Sequence, residues 1–188
     1  EEIIPTISLH VSTHIPHQFV PDVHQRLTLY KRIAELINPE EIMEMRSELL
    51  DRFGPLPESI GNLLRLVGIK RCCRQLKILK LEAGPKGASI QFHPQPRVNS
   101  AAIIELIQNG GGSVVFNHQS NTLGVKNRMW DEVEVRLRAL EQLLEKLRPE
   151  KHAIVEVVLK VGHRLRHHTR AVRGTAQNPM TRAQALAR

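Results

Sequence analysis

The side chains that could do chemistry in this chain fall into three groups: histidines gathered toward both ends, two adjacent cysteines, and carboxylates repeated along one helical stretch. His10, His14, His17 and His24 lie near the start, and His163, His167 and His168 lie near the end. A structural zinc site closes four ligands around the metal, commonly with cysteine among them. The first four histidines straddle an extended segment, a proline-rich loop and a helix start, and no cysteine or carboxylate set completes them. They read as surface histidines, and no metal is expected. Cys72 and Cys73 are the only cysteines. Neighbours in sequence rarely bridge each other, so a disulfide framework is not expected and a reducing compartment is the simplest setting. Both are expected on a helix, one buried and one turned aside. Gly84–Gly87 is not a phosphate loop, because Lys86 precedes the second glycine instead of following it. Asp51–Gly54 spells DRFG, but no glycine-rich loop or catalytic loop accompanies it. No nucleophile, base and orienting group share a convincing context. The expectation is a noncatalytic chain that needs no cofactor of its own.

The carboxylates are more informative. At about 100° per residue, Glu44, Glu48 and Asp51 fall within one narrow sector of a helix. Ile42, Met45, Leu49 and Phe53 lie on the opposite side. Such a helix packs its apolar face inward and presents three carboxylates outward. Two readings are open: a solvated face, or a docking surface whose carboxylates accept paired hydrogen bonds from arginines.

The elements that must position this helix are legible. Pro5–Val11 alternates Ile7, Leu9 and Val11 against polar neighbours, the pattern of a half-buried strand. Pro16 and Pro21 impose an extended loop. Asp22 can cap a first helix whose expected inner face is Leu27, Tyr30, Ala34 and Ile37. Asn38 can cap the acidic helix, with Pro39 in its first turn and Glu41 at capping-box spacing. Gly54 and Pro55 end it. Pro57 opens a third helix running to about Leu76, with Leu63, Leu64 and Val67 as core candidates. Strands are expected at Ile78–Glu82 and Ala88–Phe92, turning through Gly84–Gly87. A short helix capped by Asn99 or Ser100 carries Ile103, Leu106 and Ile107. A second hairpin pairs Ser113–Phe116 with Thr122–Lys126. A last helix spans Trp130–Arg148, its leucines aimed at a sheet, with Glu132–Arg136 and Glu134–Arg138 as expected surface ion pairs.

The fold expected from this order is α+β, a small antiparallel sheet packed by several helices. The chain has 188 residues with 41% hydrophobic and 3% aromatic content, so its core must be mainly aliphatic. No apolar run approaches the roughly 20 residues of a membrane-spanning helix, and no leader segment is visible. The chain starts at Glu1 and is read as a piece of a longer protein. Its net charge of +8 is uneven. Residues 150–188 hold eight Lys or Arg against two Glu, whereas residues 1–149 hold 19 basic and 17 acidic groups. The domains expected are therefore a body over 1–149 and a basic, poorly ordered tail over 150–188. Ile154–Val161 could form a short helix or strand, and nothing beyond Gly162 carries enough large apolar groups to order itself.

Three segments, IPHQFVPD (Ile15–Asp22), RLTLYKRI (Arg26–Ile33) and ELLDRFGPLP (Glu48–Pro57), followed by Asn62–Leu64 and the closing Trp130–Leu147 helix, resemble the C-terminal regulatory domain of the bacterial transcription-repair coupling factor. The likeness covers roughly Pro5–Arg148, and the tail departs from it. The resemblance implies a cytoplasmic parent protein, an ATP-driven translocase on double-stranded DNA. That parent pushes stalled RNA polymerase from lesions and recruits UvrA for nucleotide excision repair, with ATP bound in an upstream motor. It implies that this domain is autoinhibitory and docks on a UvrB-like module of the same polypeptide. The family's docking carboxylates correspond to Glu48 and Asp51, within the acidic sector that also holds Glu44. The alternative from another class is a small basic module that binds nucleic acid through its tail.

Overall fold

The computed structural model describes residues 3–149, together with the backbone of 153–158 and 164–169. The chain divides into two compact units, Glu1–Arg148 and Pro149–Arg188. The first unit is α+β. Its elements are β1 (Thr6–Ser8), α1 (Val23–Ala34), α2 (Pro39–Phe53), α3 (Glu58–Leu76), β2 (Ile78–Gly84), β3 (Gly87–Phe92), α4 (Ser100–Asn109), β4 (Val114–Asn117), β5 (Thr122–Lys126) and α5 (Val133–Lys146).

Five strands form one sheet in the order β1-β2-β3-β5-β4. Both expected hairpins are present, and β3 pairs antiparallel with β5 to join them. The sheet is not wholly antiparallel: β1 lies parallel to β2, with Ile7 opposite Leu81. A parallel neighbour requires a crossover, and the three helices α1–α3 supply it. Only three residues of the expected Pro5–Val11 strand pair in this way. The β2–β3 turn depends on Gly87, whose φ is +134°. A Cβ there would also collide with the backbone carbonyl of Val125 on β5, so the position admits glycine alone.

Two hydrophobic clusters share α3. One lies on the sheet and includes Leu81, Ile90, Leu123, Leu137 and Leu144, with Ile69, Cys73 and Leu76 from the C-terminal half of α3. The other is helical: Ile15, Val20, Leu29, Ile33, Met45 and Leu49 close on Ile60 and Leu64 from its N-terminal half. The cysteines are as expected, both on α3, Cys73 buried and Cys72 half-buried. Burial pushes the Cys73 thiol up to about 12, which leaves it protonated and inert as a nucleophile.

Two helix faces differ from expectation. The inner side of α1 is Leu29 and Ile33, whereas Leu27 is 61% and Ile37 73% exposed. Both sets fit a 3.6-residue repeat through Tyr30. The choice falls to the Ile15–Val20 loop, whose backbone is tied to α1. The amide of Ile15 donates to the Tyr30 hydroxyl at 2.6 Å, and Arg26 donates to the carbonyls of Val20 and Pro21. On α5, Arg136 is not a surface partner of Glu132. It is 2% exposed and donates from Nε to the Trp130 carbonyl, from Nη1 to those of Leu9 and His10, and from Nη2 to that of Asp131. The other expected pair, Glu134–Arg138, forms.

In the second unit, β6 (Ala153–Val158) and β7 (Arg164–Thr169) pair antiparallel, Ala153 opposite Thr169. Within the expected Ile154–Val161 segment, the part up to Val158 is strand, and 159–161 lie outside the described residues. Arg164–Thr169 is the strand that pairs with β6 in this two-stranded unit. The remainder of 150–188 lies outside the described residues.

Candidate functional site

The acidic face of α2 is held by strong local signals at both helix ends. At the N-terminus, the Asn38 side chain accepts from the Glu41 amide at 2.8 Å, and the Glu41 carboxylate accepts from the Asn38 amide, a complete capping box. At the C-terminus, the Gly54 amide donates to the Leu50 carbonyl at 2.9 Å. Gly54 then turns the chain at φ +87°, a conformation that a side chain would strain. The inner face packs as expected: Leu49 is 0% and Met45 4% exposed, while Ile42 and Phe53 are half-buried against the helical cluster. Phe53 is thus not enclosed. Its ring packs on Phe19 at 5.5 Å between centroids, and the Arg52 guanidinium covers it at 5.0 Å.

Glu44, Glu48 and Asp51 lie on the outer side, as the helical geometry requires. They are not equivalent. Glu48 is half-buried under two arginines of its own unit. Arg32 on α1 grips it through paired hydrogen bonds of 2.8 and 2.6 Å, and Arg52, one turn along α2, adds a third of 2.8 Å. Hydrogen bonds from Arg32 first, then Arg52, hold the Glu48 carboxyl down to about 2. Glu44 and Asp51 are exposed and make no side-chain hydrogen bond or ion pair among the described residues. The face therefore presents two open carboxylates beside a carboxylate–arginine cluster, a feature that helical spacing alone could not show.

Because the Glu48 carboxyl is lowered, its contribution to stability is present above the ordinary value of 4.5 and is lost as pH falls from there through about 2. Both arginines face solvent, so screening holds that contribution to about 1 kcal/mol or less. Glu48→Gln is expected to lower the melting temperature slightly near neutral pH. The gap to wild type should close by about pH 2, as read by paired thermal melts. A gap independent of pH would rule out the charge of Glu48 as its source.

Among the described residues, no group of three or more His, Cys, Asp or Glu is arranged to hold a metal ion. Likewise, no described helix is long and apolar enough to cross a membrane.

A family profile for the TRCF domain matches residues 9–103, which contain β1's exit, α1–α3, β2, β3 and the whole acidic face. The chain belongs to the TRCF domain family. Among its relatives are transcription-repair-coupling factors from Escherichia coli, 39% identical over 102 residues, and Haemophilus influenzae, 37% identical over 102 residues. Each alignment covers 54% of this chain and 9% of the relative. The factor of Rickettsia conorii is 42% identical over 93 residues, 50% of this chain and 8% of the relative. The matched region is thus under a tenth of the relatives' length. The fold is that of a solved C-terminal domain of transcription-repair coupling factor: the TM-score is 0.61 at 21% identity, covering 78% of this chain and 95% of that one. The TRCF profile ends within α4, whereas the structural likeness extends further along the chain.

Proposed function

We propose that this TRCF domain is a noncatalytic, autoinhibitory docking module. Its parent is read as an ATP-dependent DNA translocase that removes stalled RNA polymerase at lesions and recruits UvrA. The observation that carries the reading is the outer face of α2, where Glu44 and Asp51 are open carboxylates on a rigidly capped helix. The docking partner is a cationic surface of a UvrB-like module in the same polypeptide. Carboxylates accept paired hydrogen bonds from arginine more strongly than neutral acceptors do, and a capped helix holds them with little entropy left to lose on docking. Glu48 contributes as part of a cluster with Arg32 and Arg52, shaping the field of the face while its own oxygens are shared.

Reversing Glu44 and Asp51 to Lys is expected to leave the melting temperature within about 2 °C of wild type, since exposed substitutions cost little. It is expected to weaken association with the UvrB-like module, supplied in trans, by at least about tenfold, or about 1.4 kcal/mol. Titration calorimetry with both proteins measures this. Undiminished affinity in a folded variant removes the docking role from the acidic face.

A further inference from the structure

A second surface of the same unit has the opposite charge and is not used by the docking reading. Between the end of α1 and the length of α3 runs a groove of about 700 Å³. Its floor is aliphatic: Leu36, Leu63, Leu66 and Val67 are half-buried there, and Ile37 is 73% exposed at its mouth. Leu36, Leu63 and Val67 belong to the helical cluster and Leu66 to the sheet cluster, so the groove follows the seam between the two cores. Its rim is cationic. Lys70, Arg71 and Arg74 face Glu35 as the lone carboxylate in the lining.

Those three cations differ from the paired ones nearby. Arg32, Arg52, Arg65 and Arg148 each hold a carboxylate within the unit. Lys70, Arg71 and Arg74 hold none among the described residues. The Nε of Arg71 is buried with no acceptor. A buried donor left unpaired is destabilising, so the Arg71 guanidinium is not satisfied within the unit. Positions 63 to 75 of α3 extend about 18 Å, roughly three helical turns.

We infer that this α1–α3 groove binds an acidic amphipathic helical segment of a partner protein, its aliphatic stripe on the seam and its carboxylates on Arg71 and Arg74. Charge complementarity selects the acidic partner. The aliphatic floor selects a peptide over nucleic acid, because single strands are held by stacking on aromatic faces. The groove's one aromatic, Tyr30, has its hydroxyl committed to the Ile15 amide.

The test titrates the whole 15N-labelled chain with a synthetic helix of about 14 residues, with Leu at i, i+3, i+4 and i+7 flanked by Glu. The expected result is saturable binding, with amide shifts confined to Leu36–Ile37 and Leu63–Gln75. Affinity should fall at least about tenfold in Arg71→Glu/Arg74→Glu and with a peptide whose Glu are replaced by Lys. Ile37→Asp serves where the double variant does not fold, since that side chain is already mostly in water. It too should weaken binding about tenfold. No binding, equal binding of the Lys peptide, or unchanged affinity in folded Ile37→Asp overturns the proposal. So does a single-stranded oligonucleotide that competes for the same amides at equal or higher affinity, which would make the rim a phosphate site.

Discussion

Arg136→Met is expected to destabilise the first unit by about 3 kcal/mol, although it replaces a buried charge with an unbranched apolar group. The guanidinium serves four backbone carbonyls: Leu9 and His10, beyond the end of β1, and Trp130 and Asp131, before α5. Methionine offers no donor. Each buried acceptor left without one costs about 1–3 kcal/mol, partly offset because the guanidinium no longer has to be desolvated. Arg136→Lys should recover only part of the loss, since an ammonium on a flexible stem cannot reproduce a planar fork of five donors. Urea unfolding measures the free energies. Amide exchange should locate the damage, with faster exchange where β1 pairs β2. A midpoint equal to wild type would show that the carbonyls find other partners and that the arginine is not the clasp between β1 and α5.

Leu49→Ala is expected to cost about 3–5 kcal/mol, the range for a leucine removed from a site that cannot collapse. Leu49 is 0% exposed, in a cluster with Met45 of its own helix, Ile60 and Leu64 of α3, and Leu29 and Ile33 of α1. The variant leaves Glu44, Glu48 and Asp51 untouched, yet it loosens the helix that aims them. Docking affinity should fall at temperatures where α2 is partly released and recover on mild cooling. A charge reversal on the outer face predicts the contrary: weakened docking at every temperature with stability retained. Measuring both variants across the melting range separates loss of the platform from loss of the contact. A wild-type melt for Leu49→Ala would remove it from the core.

Much of this molecule is legible in its sequence. Asn38, Glu41 and Gly54 act within a few residues of themselves, so the limits of α2 followed from local hydrogen bonding and backbone sterics. The same holds for both hairpins, whose turns are written by Gly84–Gly87 and Asn117–Asn121. The inner stripe Met45–Leu49 and the outward set Glu44, Glu48 and Asp51 are two sides of one periodicity, so seeing one located the other. The face of α1 was ambiguous because two sets of aliphatic positions fit one repeat. The loop from Ile15 to Val20 decided between them.

Arg136 marks where local pattern ended. It lies three residues after Val133 and four before Leu140, on the buried stripe of α5. That spacing is the sequence signal of its burial, and it competes with the surface ion-pair spacing to Glu132. From its types and spacings alone, the chain determined an α+β unit whose second helix is capped, apolar inward and anionic outward. Tertiary structure decided what no window of a few residues contains: β1 joining its sheet in parallel, Arg136 drawn inward by four carbonyls, and Glu48 taken by Arg32 from another helix while Glu44 and Asp51 stay open. The physical reason is that each depends on which distant groups packing brings together. Burial makes an unpaired carbonyl beside Arg136 costly enough to settle its place, whereas Glu48, nearer solvent, follows from which cation α1 brings within reach.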